Sequence, residues 1–139
     1  MPGAVCKAAR CVLQALVFMH KKKVVHRDVR WPKVIRLPDG SYALVDLECM
    51  GRLGGPAMDV RCTRTLQAWQ VHEADAPGAL TADGRFDAMS DLWCLGKMLD
   101  ECKAARQDAA MGPWIQGLLA KHFGTAKAVL EHSPVKVAK

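Results

Sequence analysis

The chain has 139 residues, of which 50% are hydrophobic, 24% charged and 6% aromatic, with a formal net charge of +6 at pH 7. That is enough chain for one domain with a buried core. The charge is too modest for a nucleic-acid binder, since the only basic run, Lys21-Lys22-Lys23, leads straight into Val24-Val25.

In chain order, Val5, Ala9, Val12, Leu16 and Met19 recur at three- and four-residue intervals, which predicts an amphipathic helix over residues 4–20 with one buried stripe. Lys21 to Lys23 then sit at its C-terminal end, where cations suit the helix dipole. The longest apolar stretch, Cys11 to Met19, is interrupted by Gln14 and is too short to span a bilayer. Met1-Pro2-Gly3-Ala4 lacks the basic start and clean apolar region of a signal peptide. Six cysteines, at positions 6, 11, 49, 62, 94 and 102, show neither Cys-x-x-Cys spacing nor paired histidine ligands. They read as reduced, mostly buried thiols of a soluble intracellular protein, cytoplasmic or nuclear, with no membrane and no nucleic-acid partner.

Two acidic motifs follow. His26-Arg27-Asp28 comes directly after the first helical stretch, and Asp46-Leu47-Glu48 begins eighteen residues after Asp28. Between them Val34-Ile35-Arg36-Leu37, the turn Pro38-Asp39-Gly40 and Tyr42-Ala43-Leu44-Val45 predict a short β-hairpin. Residues 47–86 are rich in glycine, proline and charge and have little periodicity, which predicts a long functional or mobile loop. A nearly all-round apolar helix is expected over residues 88–102, at the centre of the domain. Two more helices are expected within residues 113–132: one from Pro113 to Lys121, and one from Ala126 to His132 with Thr125 as its N-cap. The expected class is mainly α with a small β-hairpin, an α+β fold in one domain spanning residues 1–139.

Taken together, these motifs resemble the C-terminal lobe of a eukaryotic protein kinase. The family's catalytic loop, His-Arg-Asp-x-Lys-x-x-Asn, is matched by His26-Arg27-Asp28-Val29-Arg30-Trp31-Pro32-Lys33. The variant His-Arg-Asp-x-Arg-Trp-Pro is similar to that of some fungal and algal kinase-like proteins. Asp46-Leu47-Glu48 resembles the metal-binding Asp-Phe-Gly, and Asp91-Leu92-Trp93-Cys94-Leu95-Gly96 resembles the start of the central buried helix. Ala76-Pro77-Gly78 stands near the place of Ala-Pro-Glu, and Phe123-Gly124-Thr125-Ala126 resembles the opening of the last helix.

The resemblance implies phosphoryl transfer from ATP, with magnesium, to serine or threonine of a protein substrate. Asp28 would orient the substrate hydroxyl, Arg30 would steady the transferred phosphate with a forked contact, and Asp46 would ligate magnesium. His26 would pack and bond beneath the loop, Arg27 would be free to pair with a phosphate on Thr63 or Thr65, and Asp91 would order the loop from below. Lys33 holds the place of a magnesium-binding asparagine; its ammonium cannot ligate a cation but could touch a cofactor phosphate. Glu48 replaces a pivot glycine, while Gly78 and Phe123 replace a paired glutamate and arginine. His72-Glu73 is too small a set for a metal site, and Trp31, Trp69, Trp93 and Trp114 are too scattered to stack bases.

The Gly-rich loop, strand lysine and partner glutamate helix of the family's other lobe are not among these residues. The expectation is therefore an N-terminally truncated kinase domain, weak or inactive as this chain. The alternative is a pseudokinase-type module that binds a protein partner without catalysis.

Overall fold

The structure is a computed structural model and describes residues 3–45, 50–54 and 85–134. Asp46, Leu47, Glu48, Cys49, Thr63, Thr65, Trp69, His72, Glu73 and Ala76-Pro77-Gly78, and most of the expected 47–86 loop, lie outside the described residues. Among those described are five α-helices, a 3₁₀ turn and two short antiparallel ladders, so the class is mainly α with a small β component.

Helix α1 spans Gly3–Lys21, one residue longer at each end than the periodicity predicts. Its stripe of Ala9, Val12, Leu13 and Leu16 is fully enclosed, and each large aliphatic buried this way contributes roughly 1.5–3 kcal/mol. The complete helix, at 19 residues, is long and apolar enough to cross a membrane by length and composition alone. This corrects the expectation drawn from Cys11–Met19, because the helix also takes in Gly3 to Arg10 ahead of that run. Here its apolar stripe faces the protein core, where it meets other helices and strands. The helix ends where Lys23 adopts a left-handed φ of 64° and its N–H bonds back to the His20 carbonyl at 3.0 Å.

Strand β1 (Val24–Val25) pairs antiparallel with β4 (Gly51–Arg52), Val24 opposite Arg52 and Val25 opposite Gly51. Two-residue strands carry no readable alternation, and this ladder is absent from the sequence-based expectation. The anticipated hairpin forms from β2 (Val34–Arg36) and β3 (Tyr42–Leu44), with Ile35 opposite Ala43. Its turn is held by the Asp39 carboxylate, which accepts from the Ser41 N–H at 2.9 Å and the Ser41 hydroxyl at 2.6 Å.

Helix α2 (Ala88–Asp100) is the central helix, buried along nearly its whole length. Asp87 and Ser90 start it with a reciprocal capping box: the Asp87 carboxylate accepts from the Ser90 N–H, and the Ser90 hydroxyl accepts from the Asp87 N–H. Helix α4 (Met111–Leu119) crosses it so closely that a Cβ at Gly96 would lie 2.9 Å from the Leu118 Cβ. Glycine at 96 is therefore the residue that lets the two helices touch.

A five-residue helix, α3 (Lys103–Gln107), is absent from the expectation, because its single buried residue, Ala105, leaves no periodic pattern. Helix α4 begins at Met111 and not at Pro113. Asp108 starts it by accepting from the N–H groups of Ala110 and Met111, both at 3.0 Å, and Pro113 falls in the first turn, where its missing N–H costs nothing. Helix α5 (Ala126–Glu131) has the expected Thr125 cap, whose hydroxyl accepts from the Ala128 N–H. Phe123 packs against Gly117 and stacks on His132 at 6.1 Å between ring centroids. Of the thiols described, Cys6 and Cys94 are buried and Cys11 and Cys102 half-buried; none is in a disulfide.

The core predicts a sharp contrast along α1. Leu16→Ala should lower the free energy of urea unfolding by about 2–5 kcal/mol, whereas Phe18→Ala, on a side chain 64% exposed, should change it by less than about 0.5 kcal/mol.

Candidate active site

The turn from β1 into the 3₁₀ segment brings His26, Arg27 and Asp28 into the interior, all three nearly or fully buried. What holds them is Asp91, a fully buried carboxylate in the first turn of α2. Its Oδ2 accepts the His26 N–H at 2.8 Å and its Oδ1 accepts the Arg27 N–H at 2.9 Å. His20 Nε2 lies 2.8 Å from Oδ2 and completes the set as a third donor. The α2 dipole adds to these donors, since Asp91 sits at the positive end of that helix.

Asp28 N–H donates to His26 Nδ1 at 3.1 Å, which leaves that nitrogen as an acceptor and puts the imidazole proton on Nε2. Nε2 then donates to the Val45 carbonyl at 3.0 Å. The Val45 N–H in turn donates to the Lys33 carbonyl at 2.7 Å. One imidazole therefore ties the acidic loop to the strand end that precedes Asp46 in the sequence.

Arg27 is in the left-handed region with φ 73°, a conformation that costs a non-glycine residue about 1–3 kcal/mol unless its surroundings enforce it. Its guanidinium lies over the Phe86 ring, 4.9 Å from the centroid, and flat against Gly51. A Cβ on Gly51 would overlap the guanidinium, so β4 can approach only as glycine. The expected free guanidinium is thus corrected: Arg27 is an enclosed side chain between β4 and the residue before α2. Phe86 also accepts the Gly54 N–H through its carbonyl at 2.6 Å, closing this corner.

On the outer side of the loop, Asp28 holds one cation on each oxygen. Arg30 Nε donates to Oδ1 at 2.9 Å, and Lys33 Nζ lies 3.6 Å from Oδ2. The carboxylate is 3% exposed, Lys33 14% and Arg30 31%, so the charges lie at graded depth from interior to surface. Trp31, within the 3₁₀ turn Trp31–Lys33, fixes this arrangement by donating its indole N–H to the Met98 carbonyl of α2 at 2.8 Å.

The structure thus brings His26, Arg27, Asp28, Arg30, Lys33 and Asp91 together. Asp46 lies outside the described residues. Sequence reasoning missed His20, although Leu13 and Leu16, seven and four residues before it, place it on the buried face of α1. It also missed Phe86 and Gly51, for which only spatial contact gives a signal. Burial pushes the Cys94 thiol well up, and the carboxylates of Asp91 and Asp28 push the same way.

With this geometry in view, known proteins supply the family. No protein-family model matches the chain. The chain is 33% identical over 95 residues to a serine/threonine-protein kinase of Suid herpesvirus 1, covering 68% of this chain and 26% of that protein. It is 31% identical over 93 residues to the serine/threonine-protein kinase pak-2 of Caenorhabditis elegans, covering 67% and 17%. Kinase suppressor of Ras B from the same organism is 28% identical over 145 residues, covering 92% and 25%. The chain is a divergent protein kinase-like sequence. It spans about a quarter or less of the length of each of these relatives.

Two outcomes test the site. Asp91→Ala strands two buried N–H groups, each of which should cost about 1–3 kcal/mol in urea unfolding; a variant as stable as the parent would contradict the role given to Asp91. In native protein at pH 8 the Cys94 thiol should resist alkylation and react only after unfolding, as peptide mass spectrometry would show.

Proposed function

We propose that residues 1–139 form one protein kinase-like C-lobe, and that the loop at Asp28 is its phosphoryl-transfer loop, acting inside the cell on serine or threonine of a protein substrate. The observation that supports this reading is the buried Asp28 carboxylate, presented beside Arg30 on a loop hung from Asp91. In that position Asp28 orients the attacking hydroxyl, and Arg30 faces the transferred phosphate with a fork suited to it. His26, Arg27 and Asp91 are supports that hold the loop in shape.

ATP is the phosphate donor in this reading, as for protein kinases in general. Magnesium, which the family resemblance implies, fits the described residues poorly. At the position where an asparagine would ligate it stands Lys33, whose ammonium carries no lone pair and lies 3.6 Å from Asp28. Asp46 remains the proposed metal carboxylate, and no step is derived through the metal. Turnover by this chain is accordingly weak.

A second reading, a pseudokinase-type module that docks a protein without catalysis, is favoured by the same Lys33–Asp28 pair, which occupies the carboxylate that catalysis needs.

Phosphate transfer from radiolabelled ATP to a serine- and threonine-containing protein separates the two. Asp28→Asn should lower the rate by about 10²-fold or more, and equal rates for parent and variant would remove Asp28 from the reaction. A parent with no measurable transfer leaves the binding-module reading in place.

A further inference from the structure

We infer that Lys33 and Arg30 form a polyphosphate-binding site that works without a divalent cation, Lys33 supplying the positive charge that a metal would otherwise bring. The inference rests on the kinase-like reading for its ligand class, a nucleoside triphosphate, but its physical basis is the charge arrangement around Asp28.

Among the described residues the cluster holds two cations and one carboxylate, Arg30 and Lys33 against Asp28, and so carries one net positive charge. The two cations divide the carboxylate between them, one on each oxygen. Arg30 spends only Nε on Asp28, at 2.9 Å, and its terminal nitrogens bond to none of the described residues. They keep the planar pair of donors that matches two phosphate oxygens. Lys33, at 3.6 Å, is close enough to Asp28 for charge pairing but beyond hydrogen-bond length. An ammonium carries three protons, so it can face Asp28 on one side and an anion on another.

Depth adds to the effect. Lys33 is only 14% exposed and Asp28 3%, so water screens their charges weakly, and an anion reaching them meets a stronger field than at a surface lysine. A divalent cation meets the reverse. It must approach Asp28 against an ammonium that already faces Oδ2, with no ligand oxygen from the side chain at position 33 in return. The backbone fixes Lys33 in this place, because its carbonyl accepts the Val45 N–H at 2.7 Å and Trp31 anchors the turn to α2. The same substitution that disfavours a metal thus favours direct contact with phosphate.

The test measures binding of ATP and of inorganic pyrophosphate to the full chain by isothermal titration calorimetry, in EDTA and in millimolar magnesium. Both probes should bind in EDTA, with ATP affinity in magnesium within about threefold of that in EDTA, a difference of less than about 1 kcal/mol. Lys33→Met should weaken binding in EDTA about ten- to a hundredfold, the loss of one charge-assisted contact, while Lys33→Arg keeps it. Lys33→Asn should bind ATP only when magnesium is present. Thermal melting of each variant establishes that it is folded, and Lys33→Arg covers the case in which the neutral variants are not.

ATP binding that requires magnesium in the parent would overturn the inference and leave the kinase-like reading standing. Binding in EDTA that Lys33→Met does not weaken would overturn it as well. Pyrophosphate binding in EDTA without any ATP binding would sustain the anion site and sink the nucleotide reading. Failure of both probes under both conditions would overturn both.

Discussion

The carboxylate of Asp91 is the constraint on which the rest of the described structure depends. A fully buried charge is tolerated only when donors surround it, and Asp91 has three: the N–H groups of His26 and Arg27 and the Nε2 of His20. They come from successive parts of the path out of α1, so satisfying one side chain on α2 fixes the end of that helix, the turn after β1 and the loop itself. The left-handed backbone of Arg27 follows from the same requirement. Its N–H can reach Asp91 while its guanidinium lies over Phe86 only if the chain folds back at that residue. Strain at one position is offset by hydrogen bonds and ring contact on both sides of it.

That inner network is neutralised by donors and a helix dipole, whereas the outer one is neutralised by full charges. His26 links the two, accepting from the Asp28 N–H on one nitrogen and donating to the Val45 carbonyl from the other. Asp28 is therefore presented by a rigid inner frame to a surface where Arg30 and Lys33 decide its chemistry. A protein kinase-like chain can keep the frame and change the outer charges independently, because hydrogen bonds to backbone carry the first and side-chain identity carries the second. Lys33 is where this chain uses that freedom. One side chain removes a possible metal ligand and supplies a cation near the same carboxylate.

Several elements are legible in the sequence alone. The apolar period of α1, the hairpin turn around Asp39-Gly40, the buried sequence of α2 and the cap at Thr125 are local patterns, set by residues within a few positions of one another. The β1–β4 ladder is not, because Val24-Val25 pairs with Gly51-Arg52 far along the chain and neither segment has a period of its own. Helix α3 is equally hidden, since five residues with one buried alanine leave almost no pattern. Within the site, His26, Asp28 and Asp91 stand out as motif residues. The roles of His20, Phe86 and Gly51 do not, since each is defined by what it touches.

The sequence by itself determined where helices and the hairpin form and which family's motifs the chain carries, because spacing and side-chain type act over short range. Only the tertiary structure decided how the charges are shared. It enclosed Arg27 between Phe86 and Gly51, gave Asp91 its third donor from His20, and set Lys33 beside Asp28. These outcomes depend on distances of a few ångströms between side chains that the fold brings together, and electrostatic and hydrogen-bond energies change over that same scale.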